Sequence, residues 1–201
     1  MRLDAGLKGG DPGLEFRLLL AAALAVRVSV WLGGVGEPER FLTPDSQAYL
    51  ELAAALVEDG HFAREGMSEV RRVPGYPAFI ALFAPVKFSA PWICLFQILL
   101  DVGICFFVWR LTARVFGSIS AWPALAFQVL SVVSIVYANH VLSETLFTFL
   151  FVGLLTVVAE TWSWQSEGKG KRIGTVCGAG VLLALMTYVR AVALPFAVFP
   201  L

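Results

Sequence analysis

The sequence predicts an all-α polytopic membrane protein of about five transmembrane helices, with an external loop that carries amphipathic juxtamembrane helices. Three observations predict it. Hydrophobic residues fill 58% of the 201 positions and charged residues only 15%, against roughly 25% charged in soluble domains. Apolar runs of the roughly 17–25 residues needed to cross a ~30 Å hydrocarbon core stand at Leu14–Val35, Trp92–Trp109, Ile119–Tyr137, Glu144–Thr161 and Ile173–Val189. Lys and Arg gather at Arg2, Lys8 and Arg17, at Arg110 and Arg114, and at Lys169, Lys171 and Arg172. If the spans alternate, these clusters share one side, which the positive-inside rule makes cytoplasmic. The expectation is a multi-pass protein of the cell membrane with a cytoplasmic N-terminus.

Each element follows in order. Residues 1–13 are polar and too short for a domain, so they read as a tail. The first apolar run is long, and no small-residue cleavage site precedes Gly33-Gly34-Val35-Gly36, so it reads as a retained anchor rather than a cleaved signal. A polar island follows. Asp45–Leu56 puts Tyr49, Leu52 and Leu56 at helical spacing, with Thr43 or Asp45 able to cap the start, which predicts an amphipathic helix on the membrane surface. In Arg71-Arg72-Val73-Pro74-Gly75-Tyr76-Pro77 the prolines limit helix continuation and Gly75 allows dihedrals other residues avoid, so a rigid turn presents both arginines. Tyr76–Phe88 is apolar but too short to span and reads as an interfacial or re-entrant helix. The chain is thus one membrane domain, 1–201, made of a first span (14–35), the external loop (36–91) and further spans (92–201).

Formal net charge is zero, which gives no basis for a nucleic-acid partner. Cys94, Cys105 and Cys177 lie inside apolar runs and read as small buried hydrophobes rather than disulfide or metal cysteines. Arg27 and Asp101 lie within spans, where ionisable groups are expensive and find partners or an aqueous cavity. An Arg27–Asp101 ion pair with a structural role is one solution.

The chemistry-bearing groups gather on one predicted side. Asp45, just outside the first span, is either a helix cap or a carboxylate that binds a divalent cation or takes a proton from an attacking hydroxyl. Arg71 and Arg72 suit a phosphate, either on a lipid carrier or in the headgroup layer. Asn139, His140, Ser143 and Glu144 form the hinge between the third and fourth spans, with Glu144 favoured at a helix N-terminus. Arg190 ends the fifth span and can snorkel or join a phosphate site.

Asp45 with Tyr49, Gly60-His61-Phe62, Arg72–Pro77, Gln97–Asp101, Arg114–Gly117 and Leu142–Thr148 together resemble the multi-pass GT-C glycosyltransferases. The resemblance is to the dolichyl-phosphate-mannose protein mannosyltransferase-like group, which includes aminoarabinose transferases and RgtA/B/C/D-like domains. It covers nearly all of this chain and the front part of a typical member, so the sequence is expected to be an N-terminal part of a longer protein. It implies an inverting transfer of a sugar from a polyprenyl-phosphate donor to a lipid or protein glycan acceptor at the external face. By the same resemblance Asp45 and Glu144 are catalytic acids and the candidate ligands of a divalent metal, while no nucleotide cofactor is expected. Arg71, Arg72, Tyr49, Tyr76, His140 and Arg190 are the implied substrate-binding residues, and loop 36–91 is the catalytic loop. The competing readings are a transporter or lipid flippase, with Arg27, Asp101 and Glu144 along its pathway, and an inactive fragment. A transporter would be expected to show repeated halves and broken helices, and neither is evident in the five runs.

Overall fold

A computed structural model describes residues 12–64, 67–69, 72–161 and 169–193. The described chain is helical apart from one two-residue antiparallel pair, Ala63–Arg64 with Met67–Ser68. The helices are α1 (Pro12–Gly34), α2 (Pro44–Glu58), α3 (Gly75–Ala81), α4 (Ala90–Phe116), α5 (Ser118–Val129), α6 (Val132–Ala138), α7 (Ser143–Thr161) and α8 (Lys169–Val189). By length and composition α1, α4 and α7 can each cross a membrane, and α5 with α6 makes a fourth crossing if that bent pair is one span. The apolar part of α8 is shorter, Ile173–Val189.

Side-chain contacts fix the directions of these helices. Trp31, near the end of α1, donates its indole N–H to the Pro91 carbonyl at the start of α4 (2.8 Å). At the opposite end the Phe16 and Trp109 rings lie 4.6 Å apart, so α1 and α4 are antiparallel. Phe107 meets Phe149 (5.4 Å between centroids) and Arg110 pairs with Glu160, so α4 and α7 run side by side in the same direction. Arg190, just after α8, reaches Glu144 in the first turn of α7. The ends of α1, α6 and α8, the starts of α4 and α7, and the segment carrying α2 and α3 therefore share one end of the bundle.

The expected single span Ile119–Tyr137 is instead two helices bent by 54°. The Ser131 hydroxyl accepts the Ser134 N–H (3.4 Å) and starts α6 afresh, which leaves carbonyls at the end of α5 without helical partners. Arg27 answers them. Its guanidinium donates to the carbonyls of Val129 (3.1 Å), Gln128 (3.2 Å) and Ala23 (3.1 Å), and its Nε pairs with Asp101. The other Asp101 oxygen accepts the Ser134 hydroxyl, which in turn accepts from the Gln128 amide (2.8 Å). A broken helix persists at membrane depth only where its freed backbone groups find such partners.

Two further expectations are corrected. Gly75 does not occupy the left-handed region. It is required because a Cβ there would stand 2.5 Å from the Tyr188 carbonyl oxygen, so its role is to let α3 touch the backbone of α8. Cys94 and Cys105 are buried as expected, whereas Cys177 is exposed on the outer face of α8.

Candidate functional site

The site begins with the cap of α2. Thr43, and not Asp45, precedes the helix: Ser46 Oγ accepts the Thr43 N–H (2.8 Å) and donates to the Val141 carbonyl (2.8 Å), which fastens α2 to the turn before α7. Asp45 is thereby left in the first turn, where the helix dipole favours a carboxylate, with its side chain 67% exposed. Arg72 Nη2 donates to Asp45 Oδ1 at 2.6 Å. The same guanidinium stands 5.1 Å from the centroid of Tyr49, one helical turn beyond Asp45. Two of the guanidinium's attractions, ionic and cation–π, thus come from a single face of α2.

A second arginine mirrors this arrangement. Glu144, in the first turn of α7, pairs with Arg190 Nη1 through Oε1 at 3.1 Å, and Arg190 lies 5.8 Å from the Phe147 ring. The Tyr49 hydroxyl reaches Ser143, next to Glu144 (3.5 Å). Between the two arginines opens a cleft of about 260 Å³, lined by Tyr49, Arg72, Val73, Val189, Arg190 and Val192. The approach of α3 to α8 at Gly75 sets the width of that cleft, because Arg72 precedes α3 and Arg190 follows α8.

The remaining predicted residues divide. Tyr76 is fully buried beneath Tyr49, with ring centroids 4.9 Å apart, and its hydroxyl donates to Gln97 Oε1 (2.6 Å). Burial pushes its phenol well above the ordinary 10.0, and the nearby Cys94, Tyr49 and Glu144 act in the same direction. Tyr76 therefore supports the cleft floor and does not line it. His140 turns away: its Nδ1–H donates to the Val136 carbonyl (2.7 Å), and its ring lines a separate cavity with Val30, Arg40 and Asn139. Arg71 lies outside the described residues.

Two features were not picked out from sequence. Gln97, fully buried in α4, donates its amide to the carbonyls of Tyr137 (3.2 Å) and His140 (2.8 Å) and so closes the end of α6 beside the site. Its position four residues before Asp101 was visible in the sequence, but its partners are not. Second, Glu144 Oε2 and Thr145 Oγ1 are buried without protein partners.

Asp45 and Glu144, the expected candidate metal ligands, stand apart on α2 and α7. Each is paired with an arginine, and among the described residues no three His, Cys, Asp or Glu side chains are grouped to hold an ion. The arginines form an anion cradle: both face one cleft, each oriented by its own carboxylate and aromatic ring. Compared with known families, curated proteins and solved structures, the chain matches none.

Proposed function

We propose that this chain carries the donor end of a membrane glycosyltransferase of the GT-C type, which moves a sugar from a polyprenyl-phosphate carrier to a lipid or protein glycan acceptor at the external face. The supporting observation is the cleft that Arg72 and Arg190 share at one end of the bundle. Two guanidiniums there match the geometry and charge of a phosphate, and the apolar side chains Val189, Ala191 and Val192 suit the first isoprene unit. In this reading α8 is the fifth span. Arg17, Arg110 and Arg114 stand toward the opposite end, which the positive-inside rule would make cytoplasmic, so on this reading the cleft opens at the outer face of the cell membrane.

The reaction this reading assigns is an inverting displacement. The acceptor hydroxyl oxygen bonds to the anomeric carbon, the bond from that carbon to the phosphate oxygen breaks, and the hydroxyl proton passes to Asp45. The prenyl phosphate leaves with its charge held by Arg72 and Arg190. The Asp45–Arg72 bond has a role in this sequence, since a phosphate that draws Arg72 toward itself frees a carboxylate already open to solvent. The transporter reading gains one broken helix, α5–α6, against the expectation of none, but loses its pathway groups. Arg27 and Asp101, its intended pathway groups, use their hydrogen bonds on the α5–α6 break.

Reconstitution with labelled polyprenyl-phosphate sugars and membrane acceptors tests the proposal. Asp45→Asn should lower transfer on the order of 10²-fold or more at unchanged thermal stability, because an exposed ion pair contributes only about 0–1 kcal/mol. Arg72→Ala should weaken donor binding more than folding. Substantial transfer by Asp45→Asn sinks the assignment, and unchanged donor affinity in Arg72→Ala removes that residue from the phosphate site.

A further inference from the structure

Behind Glu144 lies a second cleft, of about 220 Å³, that runs from the start of α7 down toward Asp101 between α4, the α5–α6 break and α7. Most of its lining residues carry a polar group, among them Gln128, Ser131, Tyr137, Glu144, Thr145 and Thr148, although much of the surface they present is apolar. Its charges are already matched. Asp101 is paired with Arg27 and Glu144 with Arg190, and no Lys or Arg lines the space among the described residues. Such a lining attracts neither an anion nor a cation.

Two of its lining residues nevertheless carry buried oxygens without protein partners. Thr145 is only 3% exposed and its hydroxyl has no protein hydrogen bond, and the second Glu144 oxygen is buried in the same condition. Buried polar atoms left unpaired are unfavourable unless water or a ligand completes them. A ligand that fits must be neutral, carry several hydroxyls and present an apolar face to Tyr137. A sugar ring meets all three conditions.

We infer that this neutral cleft binds the sugar ring of the donor, with Glu144 as the partition between sugar and phosphate. One Glu144 oxygen orients Arg190 on the phosphate side, and the other accepts a sugar hydroxyl on the neutral side. Thr145 and Thr148 supply further hydroxyl contacts. The inference rests on the glycosyltransferase reading for the identity of the ligand, but the two are separable by probe.

The full chain in lipid nanodiscs is titrated with geranyl phosphate and, separately, with methyl glycosides of several hexoses and a pentose, with binding read by saturation-transfer NMR. At least one glycoside should bind the wild type. Thr145→Val and Thr148→Val should each weaken it by roughly fivefold to tenfold, the loss of about one hydrogen bond, and Thr145→Ser should restore it. Neither threonine variant should alter geranyl phosphate binding, which Arg72→Ala and Arg190→Ala should weaken. If geranyl phosphate binds through the arginines but no glycoside binds, or glycoside binding ignores both threonines, the neutral cleft is not a sugar site and the functional reading survives. If glycosides bind through Thr145 while geranyl phosphate does not bind, the sugar site stands and the polyprenyl-phosphate reading falls. Binding of neither probe overturns both.

Discussion

Two kinds of arginine–carboxylate pair occur in this protein, and they differ in what their remaining hydrogen bonds do. Arg27 and Asp101 are 0% and 1% exposed, and their remaining contacts go to fixed partners: three backbone carbonyls for the guanidinium and the Ser134 hydroxyl for the carboxylate. Arg72 and Arg190 also hold a carboxylate each, yet they face an open cleft. The enclosed pair has no unused group with which to meet a ligand, so its chemistry is structural. The open pairs keep their arginines oriented while leaving donor groups turned toward the cleft. An ion pair is therefore informative about function through its unused valences rather than through its existence.

Removing one member of the enclosed pair should give the largest effect. Arg27→Met strands the Asp101 carboxylate and the Val129 carbonyl, and breaking a buried pair costs about 3–5 kcal/mol. Unfolding in detergent should show that loss, and the Arg27→Met/Asp101→Leu double variant should recover part of it because no charge is then stranded. Full recovery is not expected, since the Val129 carbonyl loses its Arg27 partner while the Gln128 carbonyl keeps only the Ser131 N–H. If Arg27→Met is no less stable than Arg72→Ala, the division between structural and functional pairs fails.

The next test separates the arginines of the outer cleft without touching either. A methyl group at Gly75 would collide with the Tyr188 backbone, so Gly75→Ala must push α3 from α8. Overpacking of this kind costs about 1–3 kcal/mol, and it should also weaken geranyl phosphate binding, because Arg72 and Arg190 move apart. The Arg27 network lies on other helices and should keep its amide-exchange protection. Lost stability with unchanged phosphate affinity would mean that the spacing of the two arginines does not matter.

The legibility of these features in the sequence follows their range. Apolar runs announce spans because hydrocarbon thickness imposes length residue by residue, and the runs at α1, α4 and α7 correspond to helices able to cross. The break after Val129 carries no local mark, since Leu130 and Ser131 are not strong breakers. It depends on Arg27, which is 101 and 102 residues away from the carbonyls it completes. Gly75 showed as special, but sequence cannot tell an unusual dihedral from a close backbone approach. Asp45 and Arg72 share a polar segment, and their meeting follows from α2 folding back on that segment. Tyr76 and His140 illustrate the limit. An aromatic or imidazole beside a turn has the same local pattern whether it faces a cleft or, like Tyr76, the core beneath it.

The smallest effect concerns that buried tyrosine, and it refines the comparison by asking whether the cleft floor is coupled to the cleft. Tyr76→Phe deletes one hydrogen bond to Gln97 and keeps the ring contact with Tyr49, for a net loss of about 1 kcal/mol. The pH dependence gives a signature that a packing defect lacks. Because burial raises the folded-state phenol pKa above 10.0, the stability this proton secures is complete below pH 10.0 and is lost as the pH climbs beyond it, where the unfolded chain ionises first. Wild type should therefore lose more stability than Tyr76→Phe between neutral pH and the range above pH 10.0, and the gap between their melting temperatures should narrow. Parallel melting curves across that range would show that Tyr76 reaches solvent, and the floor it forms beneath Tyr49 and Arg72 would then be open rather than sealed.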